Sequence, residues 1–287
     1  LLSMYELTTL SIIALCLVSF IGVPHGSFDG AVAALLGFQS KKKFTLFIIG
    51  YILISIAVII FWVFFPIISL SLFLLMSIVH FGLCDWSSLK IIDHKWPLTL
   101  THGMNIVLGV IFFHTHESFE IFKYLSNENF LIFKEYLVFG YIIYITFLIY
   151  YCFLAINIKK IRWGLLEMLL ILIIISLFDP LTGFALYFCF VHTFKHIKAI
   201  LADTSKHIPN KKFIFISTTV FTILTWLGGC LAIIFMSNNI SFDESLIKTI
   251  FIGLAALTLP HMTLVDFFYR KKFNCLLYTS PSPRDTI

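Results

Sequence analysis

Apolar stretches of about 20 residues recur along nearly the whole chain, and each is long enough to cross a bilayer as a helix. Nine can be read, at about 4–24, 44–65, 67–84, 97–113, 136–156, 163–178, 181–199, 213–236 and 247–269. Two separations are weak, marked by Pro66 and by Asp179-Pro180, so the count runs from seven to nine. With 60% hydrophobic and 12% charged residues, the chain lacks the polar surface of a soluble domain. The expected fold is therefore all-α, a polytopic transmembrane helical bundle. A cleaved signal at residues 1–22 is excluded, because equally apolar segments come after it.

Loop charges orient the bundle. One set of alternate connections carries Lys41-Lys42-Lys43, Lys90 with Lys95, Lys159-Lys160 with Arg162, Lys206 with Lys211-Lys212, and Arg270-Lys271-Lys272. The other set carries Pro66, then Glu117, Glu120, Glu128 and Glu135, then Asp179, then Asp243 with Glu244. Basic loops stay in the cytoplasm, so the amino terminus is expected outside and the carboxyl terminus inside. The net charge of +5 sits in these short loops and does not indicate nucleic acid. The six cysteines form no CxxC pair, which argues against a disulfide framework or zinc ribbon.

No soluble domain is visible. The 114–135 loop holds a mildly apolar, interfacial run, and the glycine-bearing break at 25–43 reads as partly re-entrant. Residues 1–272 are expected to form a single transmembrane domain. Residues 275–287 read like a translated sequencing adapter, a non-native tail set aside from functional reasoning.

The chemistry lies in the histidines. His192 and His196, in Phe188-Cys-Phe-Val-His-Thr-Phe-Lys-His196, are four apart and share one helix face. Histidine within a membrane-length apolar segment is costly and marks function. On the expected topology His25, His80, His102 and His261 fall at the same inner-leaflet depth, so six histidines from five helices share one layer. His94, His114, His116 and His207 fall in loops.

Three of the buried histidines are followed by an aspartate: His25 by Asp29, His80 by Asp85 and His261 by Asp266. A metal-bound imidazole usually donates its second N–H to a carboxylate or carbonyl. Asp29 and Asp85 are thus candidate supports for a metal site, on equal terms with a helix-end role. Asp266, near the basic end, reads as a salt-bridge partner. His102 and His261 are further supporting candidates.

Neutral imidazoles without thiolates suit Fe, Zn, Cu or Ni. A zinc protease would need H-E-x-x-H, and Thr193 stands where its glutamate would be. Bis-histidine haem and a histidine-lined metal or proton transporter remain open on the residues alone.

Four ordered motifs carry a resemblance. They are Gly22-Val-Pro-His-Gly-Ser-Phe-Asp29, His80-Phe-Gly82 with Asp85, the His192–His196 segment, and Gly253-Leu-Ala-Ala-Leu-Thr-Leu-Pro-His-Met262, with Trp96-Pro97 and His102-Gly103 between. Together they resemble the Brp/Blh family of membrane β-carotene 15,15′-dioxygenases over about residues 20–270. The resemblance implies cleavage of β-carotene with O2 at its central double bond, in the inner membrane of a bacterium. It implies two retinal molecules as product, supplying a microbial rhodopsin. It also implies an Fe(2+) site held by His25, His80, His192 and His196. Thr193 and Lys195 stand where the family commonly has Ser and Arg, and Lys cannot make the bidentate fork of Arg.

Overall fold

The structure, a computed structural model, describes residues 6–87, 95–127, 134–207 and 211–270. The tail at 275–287, with Cys275, lies outside the described residues, as do His94 and the loop charges Lys90, Glu128, Lys271 and Lys272.

All regular elements among the described residues are helical. They run α1 (Thr9–Leu17), α2 (Asp29–Leu35), α3 (Lys41–Phe64), α4 (Pro66–Ser87), α5 (Lys95–Phe113) and α6 (Thr115–Ser126). They continue with α7 (Lys134–Asn157), α8 (Lys159–Leu177), α9 (Pro180–Tyr187), α10 (Thr193–His207), α11 (Lys211–Met236) and α12 (Phe242–Met262). Wide π turns at Val18–Gly22, Phe188–His192 and Thr263–Tyr269, and a tight 3-10 turn at Val23–Phe28, interrupt longer helical rods. Among the described residues, eight rods are long and apolar enough to span a membrane: 9–35, 41–64, 66–85, 95–113, 134–157, 180–202, 212–236 and 242–269.

Two differences from the sequence-based expectation have clear causes. The first span does not end at 24, because the chain turns tightly through Pro24 and resumes as the wholly buried α2. His25 therefore sits inside a rod of 27 residues, not at its edge, and the expected re-entrant break starts only after Leu35. The sixth segment corresponds to α8, where Lys160, Arg162 and Glu167 make the helix too charged to count as apolar throughout.

The rods sort into two rings. In α3, α7 and α11 only 11%, 6% and 0% of the apolar window is buried, whereas α4 and α5 reach 56% and the α12 rod 50%. Leu53 and Val63 of α3, Ile149 of α7 and Phe235 of α11 point outward as an apolar sheath suited to lipid. The inner helices, with so little polar area, pack through small residues. At the crossing of α4 and α5, Gly82 meets the backbone carbonyl of Thr99 and Gly103 meets that of Ile78. Any side chain larger than hydrogen would occupy the partner helix. His80 lies between these two contacts on α4.

The 114–135 loop contains α6, whose Ile121, Phe122 and Leu125 are buried against the bundle while Glu117 is half-buried and Lys123 exposed. It is a surface-lying amphipathic helix.

Candidate metal centre

Each rod interruption sits beside a histidine of the layer. Proline at 24 has no N–H, so the regular ladder cannot continue. The resulting turn leaves the Gly22 carbonyl to accept from Nδ1 of His25. A Cβ on Gly22 would stand 2.6 Å from Cδ1 of Phe188, so glycine is what lets that ring in. Phe188 in turn lies flat on His192, at 5.6 Å and 9°. His192 closes the wide turn Phe188–His192, and His196 comes one turn into α10 with its ring 5.9 Å away at 12°. His261 comes directly after Pro260 and precedes the third wide turn. Such turns are rare and gather at functional sites, because the extra residue re-aims the side chains beyond it.

Five imidazoles converge. One nitrogen from each of His25, His80 and His192 lies within 4.8 Å of the other two, a spacing that would admit a metal ion. The His25 ring is 5.2 Å from that of His192, 5.4 Å from His196 and 5.3 Å from His261. All five histidines are buried. Nδ1 of His80 donates to Oδ2 of Asp266 at 2.8 Å, and Nδ1 of His261 to Oδ1 of Asp29 at 2.8 Å. A carboxylate only accepts, so these bonds fix the proton on Nδ1 and leave Nε2 with a lone pair. Nε2 of His80, His192, His196 and His261, and Nδ1 of His192, have no protein partner despite full burial. Buried nitrogens left unpaired cost about 1–3 kcal/mol each, and here they gather at one point. The donor set fits a divalent first-row metal.

The model of a family described as beta-carotene 15,15'-dioxygenase matches residues 16–269, a span that contains all five histidines. The chain belongs to that family. It is also 31% identical over 259 residues to the beta-carotene 15,15'-dioxygenase of uncultured marine bacterium 66A03, covering 90% of this chain and 93% of that protein. No solved structure matches the chain.

Within this beta-carotene 15,15'-dioxygenase family member, the aspartates pair differently from their order in the sequence. Asp29 serves His261, 232 positions away, rather than His25. Asp266 serves His80 rather than His261, and also accepts from Nε of Arg270 at 2.7 Å. Asp85 makes no hydrogen bond to His80. It accepts from Tyr187 Oη at 3.0 Å and Lys195 Nζ at 3.3 Å, and Lys195 also binds Glu167. The reason is helical geometry: five positions along a helix carry Asp85 and Asp266 off the face of His80 and His261, and the 3-10 turn over Val23–Phe28 takes Asp29 off that of His25.

His102 is not in the cluster. It stands next to Gly103 on a different face of α5, where its Nε2 meets Tyr151 Oη of α7 at 3.0 Å. It joins α5 to the outer ring.

Two contributors are invisible in the sequence. Tyr51 projects from lipid-facing α3 and donates to Oδ2 of Asp29 at 2.9 Å. Glu167 comes from α8 to share Lys195 with Asp85. Neither carries a motif; Tyr51 is one of the few buried residues of α3, and Glu167 is half-buried on α8.

An apolar cavity opens beside the histidines. His25, His80 and His261 form its polar end, and Phe73, Phe81, Phe184 and Phe221 its walls. A second cavity shares Phe73, Ser77, Phe81 and Phe184 with the first and extends to Val110 of α5 and Phe122 of α6. Phe188 thus has a place in the site that packing alone does not explain, while Phe190 beside it is exposed.

Proposed function

We propose that this protein cleaves β-carotene with O2 at the central 15,15′ double bond, giving two molecules of all-trans-retinal. The observation that carries this is the convergence of buried, partnerless imidazole nitrogens at the end of an apolar cavity, in a chain of this family. The reaction balances: one C=C bond breaks, and each half keeps one oxygen atom as an aldehyde.

The ion is proposed to be Fe(2+), held by His25, His80, His192 and His196. When bound, iron supplies the means of activating O2 toward an organic double bond. The protein does the rest. Asp266 and the Gly22 carbonyl hold His80 and His25 with Nε2 presented to the ion. Phe188 and Phe81 pack on His192 and keep its ring from turning, at 5.6 and 4.8 Å between centroids. The phenylalanine-lined cavities exclude water and bind the hydrocarbon.

The haem reading conflicts with the crowding. Rings of His25 and His261 stand edge-on to the other imidazoles at 5.0–5.4 Å, where a flat macrocycle would have to lie. Family membership favours the oxygenase over the transporter.

We also propose an inner-membrane location, with the metal centre in the cytoplasmic leaflet. An outside amino terminus with an inside carboxyl terminus requires an odd number of crossings, so α8 is the ninth. Its 19 residues span about 28 Å, and its charges lie at its basic end and in the Lys195–Glu167 pair. Retinal released in the bilayer would supply a microbial rhodopsin.

The test is expression in a β-carotene-producing bacterium. Loss of colour with retinal formation is expected, and His192→Ala or His80→Ala should restore the colour at equal protein level in the membrane. Undiminished β-carotene in the presence of folded, iron-loaded protein would refute the assignment.

A further inference from the structure

We propose that His261 is itself a ligand of the metal, making the centre a five-imidazole site with His25, His80, His192 and His196. This rests on the metal-oxygenase reading and adds a ligand to it.

The first ground is its free nitrogen. Nε2 of His261 is buried without a protein partner, like Nε2 of His80, His192 and His196. A residue that merely supported a ligand would spend that nitrogen on the ligand's side chain or on a carbonyl. His261 spends only Nδ1, on Asp29.

The second ground is the spacing of the rings, the nitrogens mutually within 4.8 Å being those of His25, His80 and His192. The His261 ring lies 5.0 Å from His196, 5.1 Å from His80 and 5.3 Å from His25. That is nearer than His192 is to His196, at 5.9 Å. With metal–nitrogen bonds of about 2.1 Å, ring centroids sit about 3.2 Å from the ion, so pairs fall between about 4.5 Å at right angles and about 6.4 Å across. Eight of the ten ring pairs among the five lie between 5.0 and 6.1 Å.

The third ground is symmetry of construction. His261 with Asp29 repeats His80 with Asp266, each imidazole aimed by a carboxylate of another rod at 2.8 Å. Such carboxylate–histidine pairs accompany metal ligation. Tyr51 fixes Asp29 as Arg270 fixes Asp266. A fifth imidazole would leave fewer positions on the ion for any other ligand. The hydrocarbon is then held by the cavity wall alone.

The experiment compares purified wild type, His192→Ala, His261→Ala and His261→Gln for Fe(2+) affinity and, after Co(2+) loading, for the visible ligand-field spectrum. Wild type should bind one ion, His261→Ala should bind at least tenfold more weakly with a shifted Co(2+) spectrum, and added imidazole should reverse both changes. If wild type binds no ion, the metal-oxygenase reading itself falls. If His192→Ala loses the ion while both His261 variants keep wild-type affinity and spectrum, only the fifth ligand is overturned. Should the variants fail to fold, a cryo-EM structure of iron-loaded wild type decides. Nε2 of His261 within about 2.5 Å of the ion supports the proposal, and beyond about 3.5 Å it refutes it.

Discussion

The crossing of α4 and α5 offers a sharp test of how this bundle aims its histidines, through Gly103→Ala. A Cβ on Gly103 would stand 2.5 Å from the carbonyl carbon of Ile78, and one on Gly82 2.8 Å from that of Thr99. Ordinary contact begins at 3.4 Å. The obstacle is helix backbone, which cannot swing aside as a side chain does, so the rods must part by roughly 1 Å in a close-packed interior. Overpacking of this kind costs typically about 1–3 kcal/mol, and a rigid obstacle puts Gly103→Ala near the upper end. At about 2–4 °C per kcal/mol, the melting temperature should fall by about 5–10 °C. Because His80 lies between the two contacts, the shift also moves a proposed ligand. Misplacement by an ångström can cost about 100-fold in rate. Retinal formation in solubilised membranes, assayed with a thermal melt, should show at least a tenfold loss for Gly103→Ala. Gly253→Ala is the control, since a Cβ there meets nothing within 4 Å, and it should leave both readings unchanged. Wild-type rate and melting in Gly103→Ala would show that the crossing does not aim the site.

Other contacts give further expected outcomes. Asp266→Asn removes the carboxylate that orients His80 and should weaken iron binding about 10–100-fold, measured by competition with a chelator. Lys195→Met takes the cation from Asp85, whose side chain is 1% exposed. It should destabilise the protein by about 3 kcal/mol in a thermal melt, while Lys195→Arg is tolerated. Val110→Trp fills the second cavity at its far end and should suppress turnover of full-length β-carotene more than that of a shorter polyene, compared by product chromatography. Chelation of iron should stop retinal formation, and Fe(2+) should restore it.

Much of this was legible in the residues, and the illegible part has a common cause. Lipid demands uninterrupted apolar runs, so α3, α7 and α11 stand out in any reading. His192 and His196 stand out because four positions is one helical turn. Periodicity along a rod, however, says nothing about which rod lies opposite. That is why Asp29 looked like a partner for His25 when it holds His261, and why His102, of equal depth, faces Tyr151 instead of the cluster. The first span looked complete at Pro24 because proline ordinarily ends a helix. Here it re-aims one, through turns that carry no compositional signature.

The crossed straps have a consequence for biogenesis. Asp29 waits for His261, and His80 waits for Asp266, so neither imidazole is oriented until the rod containing α12 has entered the bilayer. A ribosome-bound chain lacking α12 would hold histidines in lipid with no fixed aim. On the proposed metal site, ion loading would then favour molecules that contain α12.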